Sequence, residues 1–468
     1  MATRGRPGSK RCRKSSKDEY DSKDHISKLP DELIISILSL LTLKQAAATS
    51  VLSRRWRELW SFTLRLDFLA AEALNLLDRL EGVLVRERHR YVRWVNKVLR
   101  SCSKGNNIEE FRVFFNLDIS SKKSIDKWLM FALSRKVQRI ELNLTLDGGT
   151  SSRRDEDCYT FPCKFFIPRK YPGPRLRSMN PCTSFEIKYL RALSLTFVRV
   201  TGEAVQDLLR NCPVLEHLSV SDSPDLLKLE ICDSSLVLKR LEICYCHMMK
   251  FLEIRNTNIL SLKYVGKKID IVLENAPLLV DVYVGGDMTS HMPDVLSLLS
   301  SYLSQLDTFA LEIRHFKENK MSCLSEKFDN LKHLVVEIDP FCDTGFSLPL
   351  MDLLSASPCL QKLSLQVYWS RGPVSRRRIR EVVRTPHLNL KQVEFLGYYG
   401  NAGDIEFVKN TLANAPQLEK IVVDPRNRWY PYSLDSEEIE QDKATTRRAK
   451  RQLNKIVPPQ IELVILDL

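Results

Sequence analysis

The chain has 468 residues, 44% of them hydrophobic, and its 71 Lys plus Arg against 58 Asp plus Glu give a net charge of +13. That apolar fraction supplies a core and excludes wholesale disorder, while 16 Gly and 21 Pro are too few for collagen-like or low-complexity sequence. The most nearly continuous apolar run, Leu33 to Leu41, contains two serines and falls far short of the roughly 20 residues that a membrane span needs.

The first 17 residues carry seven positive charges and no acid, more than half of the net excess. Residues 1–23 are therefore predicted to be a disordered basic tail. Its Arg4, Arg6, Lys10, Arg11, Arg13 and Lys14 suit a nuclear import signal, a nucleic-acid contact or simple solubility. Arg4-Gly5-Arg6-Pro7 also resembles the core of an AT-hook, which lies along the minor groove of AT-rich DNA. No apolar stretch follows, so the tail does not read as a secretory signal. The 12 cysteines, from Cys12 to Cys359, form no C-x-x-C pair and read as reduced thiols. The expected location is nuclear and/or cytoplasmic.

Residues 24–68 are predicted to form a small helical module. Pro30 with Asp31 and Glu32 suits a helix start, and Leu33, Ile34, Ile37, Leu38 and Leu41 make one apolar stripe. Shorter helices fit Leu43 to Thr49 and Arg54 to Trp60. Ile35 and Leu40 add apolar surface beyond the stripe. A module of this size cannot cover a helix that is apolar nearly all round, so one side needs another surface: a partner, or the rest of this chain.

The spacing of Leu29-Pro30, Ile37-Leu38, Thr49-Ser50, Leu52-Ser53 and Arg55-Trp56, with the trailing Leu-Asp-Phe, resembles an F-box of the plant type. The resemblance implies a Skp adaptor as partner and, through it, a cullin scaffold. By position, Leu29, Pro30, Leu33, Ile34, Ile37 and Leu38 would meet the adaptor, with Val51 and Trp56 completing the surface. Thr42-Leu43 stands where plant relatives usually have Pro-Thr.

After a helical linker at 69–107, the pattern L-x-x-L-x-L, allowing Ile, Val and Phe, begins at Ile108, Val137, Leu190, Leu215, Leu238, Ile259, Leu279, Leu306, Leu331, Leu360, Leu390 and Leu418. Apart from one long gap after Val137, the steps approximate the 20–29 residues of leucine-rich repeats. Four times a segment with helical spacing (VQDLLRNC, IDIVLENA, LMDLLSAS, VKNTLANA) is followed by Pro, one residue and the next Leu; proline ends each helix ahead of a strand. The expected fold is α/β: a helical F-box, then a leucine-rich-repeat solenoid at 108–389 with a parallel sheet on its concave face. An insertion is expected on one rim near 148–181. Phe251-Leu252-Glu253-Ile254 falls between pattern positions and blurs the register over 240–265.

Residues between the inward leucines would line the concave sheet. The candidates for target binding are His217, Arg240, Glu242, Lys263, Tyr283, His333, Lys362, Lys391 and Lys420, beside Glu216, Ser219, Glu337, Gln366, Glu394 and Asp424. The C-terminal unit at 390–468 resembles the FBD region of plant F-box proteins, through Lys391, Gly397-Tyr398, the helix from Asp404 to Asn414, and Ala415-Pro416 before Leu418.

No nucleophile elbow, phosphate loop or metalloprotease motif is present. Cys244, Cys246 and His247 form the one tight Cys/His group. Along a strand the cysteines would share a face opposite His247, which disfavours a metal site. No cofactor is expected. The expected function is a non-catalytic, substrate-recognition subunit of a Skp–cullin–F-box ubiquitin ligase with an unknown protein substrate. Two rival readings are a nuclear nucleic-acid-associated scaffold using the basic tail, and an F-box protein that binds the adaptor without directing degradation.

Overall fold

The computed structural model describes residues 26–69, 81–102, 107–145, 157–162, 187–290, 292–313, 327–338, 350, 353–368, 386–426 and 436–466. The basic tail lies outside them. The N-terminal module consists of helices α1 (Asp31–Leu38), α2 (Leu43–Ala48) and α3 (Arg54–Leu59) around Ile34, Leu38, Ala46, Trp56 and Leu59. These helices are too short to persist alone, and their ends are closed by side chains. Thr42 accepts from the Gln45 backbone N–H while the Gln45 side chain accepts from the Thr42 N–H, a reciprocal cap. The replacement of the usual Pro-Thr thus supplies a capping box. Ser53 caps α3 through the Trp56 N–H at 3.2 Å. Arg55 ties α3 to the start of α1, donating to Asp31 Oδ1 at 2.7 Å and to the Leu29 carbonyl at 2.6 Å.

The remaining described residues build one long, parallel, curved array. Its strands in chain order are β1 (Arg65–Leu69), β2 (Glu110–Phe114), β3 (Arg139–Asn143), β4 (Tyr159–Thr160), β5 (Ala192–Thr196), β6 (Val198–Arg199), β7 (His217–Ser221), β8 (Lys228–Ile231), β9 (Arg240–Cys244), β10 (Phe251–Arg255), β11 (Ser261–Gly266), β12 (Asp270–Glu274), β13 (Asp281–Gly286), β14 (Thr308–Ile313), β15 (His333–Ile338), β16 (Lys362–Val367), β17 (Gln392–Leu396), β18 (Lys420–Asp424) and β19 (Glu462–Ile465). Fourteen of them form a single parallel sheet in the order β1-β2-β3-β5-β7-β9-β11-β13-β14-β15-β16-β17-β18-β19. Every pattern position read from the sequence precedes one of its strands by two residues. Helices α4 (Glu81–Ser101), α5 (Lys122–Ser134), α6 (Gly202–Asn211), α7 (Met292–Leu299), α8 (Ala402–Asn414) and α9 (Ser436–Leu453) complete the described units.

The pattern residues stack in buried rows. Leu218, Leu241, Leu262, Val282, Phe309, Leu334, Leu363 and Val393 lie side by side from β7 to β17, each nearly or fully buried. Polar side chains stitch the repeats at their N-terminal edge: Gln305 donates to the Leu279 carbonyl at 2.8 Å and Asn389 to the Pro358 carbonyl at 2.8 Å. At the other end, the residue after β5, β7, β9, β10 and β12 is left-handed, with φ of 58° at Phe197, 52° at Asp222, 52° at Tyr245, 52° at Asn256 and 49° at Asn275. The N–H groups of Phe197, Asp222, Tyr245 and Asn256 still donate to the next strand of their sheet, as Asp222 does to Cys244 O at 2.9 Å, before the chain turns away. Gly397 does the same after β17 at φ 79°, where an added Cβ would lie 1.8 Å from Val367 O.

Two expectations are corrected. IDIVLENA contains the strand β12, not a helix; Ile271 and Leu273 alternate as readily at period two, and β12 pairs with β10. Phe251–Arg255 is β10 of a second, three-stranded sheet, β12-β10-β8, so the main register over 240–265 is regular. The expected insertion lies largely outside the described residues, but Cys158, Tyr159 and Phe161 within it are buried. That part packs into the molecule, and β4 pairs with β6.

Candidate functional site

The first candidate surface is the outer side of the N-terminal module. A helix presents rows at i and i+4, and in α1 the row Ile34–Leu38 turns inward, fully buried against Trp56 and Leu59. Ile34, Leu38 and Trp56 therefore belong to the module's interior, not its outer face as the sequence suggested. Leu33 and Ile37 occupy the outer row and are exposed. Val51 is 86% exposed and Leu40 78% exposed, and Ile26, Leu41 and Leu52 also face outward. Of the expected contacts, Pro30 is exposed and Leu29 half-buried. The sequence reading named Leu40 and Leu41 as apolar surface but not as contacts, and it gave Leu52 no outward role. The solenoid core takes in Leu43, and Trp60 packs against both cores. Among the described residues nothing else of the chain covers this apolar face.

The second surface is the concave sheet. Parallel register aligns its outward residues into rows. His217, Arg240, Ser261, Asp281, Thr308, His333, Lys362, Gln392 and Lys420 form one row; Ser219, Glu242, Lys263, Tyr283, Ala310, Val335, Ser364 and Glu394 form the next. The nine target-binding candidates lie there except Lys391, which is exposed one residue before β17 and lies 3.4 Å from Glu419; Glu216 likewise precedes β7, and Glu337 and Gln366 pair in a third row. Asp424 is not on the open face: it is completely buried and held by Arg426 at 2.7 Å.

The rows divide into three zones. Toward the N-terminal side, His217 Nε2 lies 3.3 Å from Glu242 Oε1, and this neighbour holds the Glu242 carboxyl below its ordinary value despite burial. In the middle, Lys263 Nζ sits 4.0 Å above the Tyr283 ring, followed by the small or apolar Ala310 and Val335. Burial, then the nearby Glu337 and Glu312, pushes the Tyr283 phenol strongly up, so it stays a neutral donor. Tyr245 donates to Glu312 at 3.3 Å and Tyr368 to Glu337 at 3.0 Å, rings that the sequence reading did not place here. The left-handed turn at Tyr245 directs it, and no period in the sequence encodes that.

Toward the C-terminal side, His333 Nε2 lies 2.9 Å from Ser364 Oγ, Ser364 donates to Glu394 at 2.8 Å, and Lys362 lies 2.7 Å from Glu394. Burial opposes the charge on Glu394, but the bonds from Lys362 and Ser364 outweigh it and lower its pKa. Burial, then Lys362, lowers the His333 pKa. With the hydroxyl proton committed to Glu394, the imidazole donates to Ser364, the reverse of nucleophile activation. The hydrogen-bonded groups at the two sides leave a small apolar centre at Ala310 and Val335.

Cys244 and Cys246 do not share a strand face, because β9 ends at Cys244 and Tyr245 turns the chain. Burial pushes their thiols up to about 11 and about 12, and Cys246 packs in the turn, 3.8 Å from Val220 O. Among the described residues no group of three or more His, Cys, Asp or Glu is placed to hold a metal ion, and no helix is long and apolar enough to cross a membrane. Arg4, Arg6, Lys10, Arg11, Arg13 and Lys14 lie outside the described residues.

The F-box domain model matches residues 26–63, and the model described as At1g61320/AtMIF1, LRR domain matches residues 101–467. Among curated Arabidopsis thaliana relatives, the F-box/LRR-repeat protein At3g59210 is 27% identical over 89% of this chain and 90% of its own length. The putative F-box/LRR-repeat protein At5g25860 is 24% identical over 75% of this chain and 81% of its own. The FBD-associated F-box protein At4g10400 is 28% identical over 60% and 65%. With its three-helix module followed by a parallel solenoid sheet, the chain belongs to the plant F-box/leucine-rich-repeat proteins.

Proposed function

We propose that this chain is the substrate-recognition subunit of a Skp–cullin–F-box ubiquitin ligase. The observation that carries the reading is the division of labour within the F-box. Ile34, Leu38 and Trp56 complete the module's own core, while Leu33, Ile37, Leu40, Val51 and Leu52 leave an apolar face open among the described residues. A contiguous apolar face of that kind fits a Skp-type adaptor, through which a cullin would be reached. The concave sheet, with Lys263 and Tyr283 beside Ala310 and Val335, would hold the target. Mechanistically the chain positions: it raises the effective concentration of a target near a conjugating enzyme and contributes no reacting group.

The test is target turnover in plant cells. A protein that crosslinks to the concave face should accumulate when the proteasome is inhibited, and should accumulate without inhibitor when the F-box carries Val51→Glu. Tyr283→Ala with Lys263→Glu should abolish the crosslink. A crosslinked partner whose level ignores both the inhibitor and the F-box variant would contradict the degradative reading and favour simple adaptor binding.

A further inference from the structure

The sheet begins at β1, whose described strand partner is β2 alone. The Leu64 carbonyl accepts from the Glu109 N–H at 2.8 Å and the Glu110 N–H at 3.3 Å. Backbone parity then directs Leu66 and Phe68 to β2, and the N–H and C=O groups of Arg65, Asp67 and Leu69 point the other way. A cavity of about 860 Å³ adjoins β1, lined by Arg65, Asp67 and Leu69 and extending over Glu110 and Arg112 of β2. Leu40, Leu41 and Leu43 of the α1–α2 turn wall it on one side, and Tyr91 and Trp94 of α4 on the other. A strand edge that no other described residue pairs with, beside a largely apolar trough, has the parts required for strand addition.

The charge pattern defines the incoming strand. In the first outward row Arg65, Glu110 and Arg139 alternate in sign, with contacts of 3.6 and 3.2 Å. In the second row Asp67, Arg112 and Glu141 alternate in the opposite phase, at 3.3 and 2.7 Å. One more strand would continue both rows with an acid beside Arg65 and a base beside Asp67. Asp67 already signals the second need, because its buried Oδ1 has no hydrogen-bond partner. Burial also raises its carboxyl pKa, with Arg112 only partly offsetting this. Residues opposite Leu66 and Phe68 would turn toward Leu43, Tyr91 and Trp94. The chain's own β2, Glu110-Phe111-Arg112-Val113, has this acid–apolar–base–apolar order and occupies the equivalent place on β1's other side.

We propose that the free edge of β1 docks an extended segment of a partner protein with the sequence pattern acid–apolar–base–apolar, added in parallel to the sheet. This surface is distinct from the concave rows and from Val51 but shares Leu40 and Leu41 with the outer F-box face, so the ligase reading is separated from it through Val51→Glu, which leaves the trough unaltered.

The probe is a fluorescein-labelled peptide, SEVRVTS, titrated against the full chain by anisotropy. Two controls are its charge-swapped form SKVEVTS and an analogue N-methylated at both valines, whose amides would face β1. The expected result is saturable binding of the first peptide and at least ten-fold weaker binding of both controls. In the Arg65→Glu/Asp67→Lys variant the preference between SEVRVTS and SKVEVTS should invert, while adaptor binding through the F-box persists. Equal binding of the two charge patterns, indifference to N-methylation, or no binding at millimolar peptide would each overturn the proposal. If the double variant does not fold, the three peptides on the unaltered chain still decide it.

Discussion

Asp222 shows how a single turn position can work against its own fold. It follows β7 in the left-handed region, where its short polar side chain is tolerated. Burial pushes its carboxyl up from an ordinary 3.8 to about 6, with His247 pulling it part of the way back. A raised acid binds its proton more tightly when folded, so ionisation penalises the native state. The penalty is absent below pH 3.8, grows as pH rises to about 6, and is constant above that. Asp222→Asn keeps the left-handed preference and removes the charge. It should stabilise the chain by about 3 kcal/mol at pH 7.5 and change little at pH 4, read by urea denaturation at the two values. Equal effects at both would contradict this account of the site. Sequence exposed the type of this residue but not its role. The same turn is filled by Phe197 and Tyr245, which no turn propensity would select.

At the scale of elements, legibility followed the repeat. The inward pattern found twelve of the main sheet's strands because each buries the same three positions. It missed β1 and β19 because their first pattern positions hold Thr63 and Gln460, as terminal repeats depart from the consensus that internal ones obey. The β8-β10-β12 sheet was obscured because a short apolar run fits a strand and a helix equally well. In the F-box the helices were readable and the division between inner and outer rows was not. Trp56 looks like a surface anchor until α3 is folded against Ile34 and Leu38. The α2 cap gives a direct check. Thr42→Ala should cost about 1 kcal/mol, because the Gln45 backbone N–H loses its acceptor and the Gln45 side chain loses the hydroxyl bond that holds it over the N-cap. Amide exchange should quicken across α1–α3 and not in β7–β18. Uniform acceleration through the sheet would show instead that the module and the solenoid open as one unit.

Across the whole molecule, two cores meet at a narrow joint. The F-box core of Ile34, Leu38, Ala46, Trp56 and Leu59 and the continuous solenoid core are joined through Leu43, which belongs to the second, and Trp60, which packs against both. The first can therefore present a face to an adaptor while the second curves around a target, with the distance between them fixed by packed strands. The central claim is that the outer row of the F-box, not its interior row, makes the adaptor contact. The most direct measurement is the calorimetric affinity of the full chain for a plant Skp adaptor, beside Val51→Glu and Leu40→Glu, with thermal melts of each. The account predicts a stable complex that each substitution weakens at least ten-fold, since it buries a charge without a partner, while both melts stay unchanged. Undiminished affinity in both variants, or no complex with the folded chain, would contradict it.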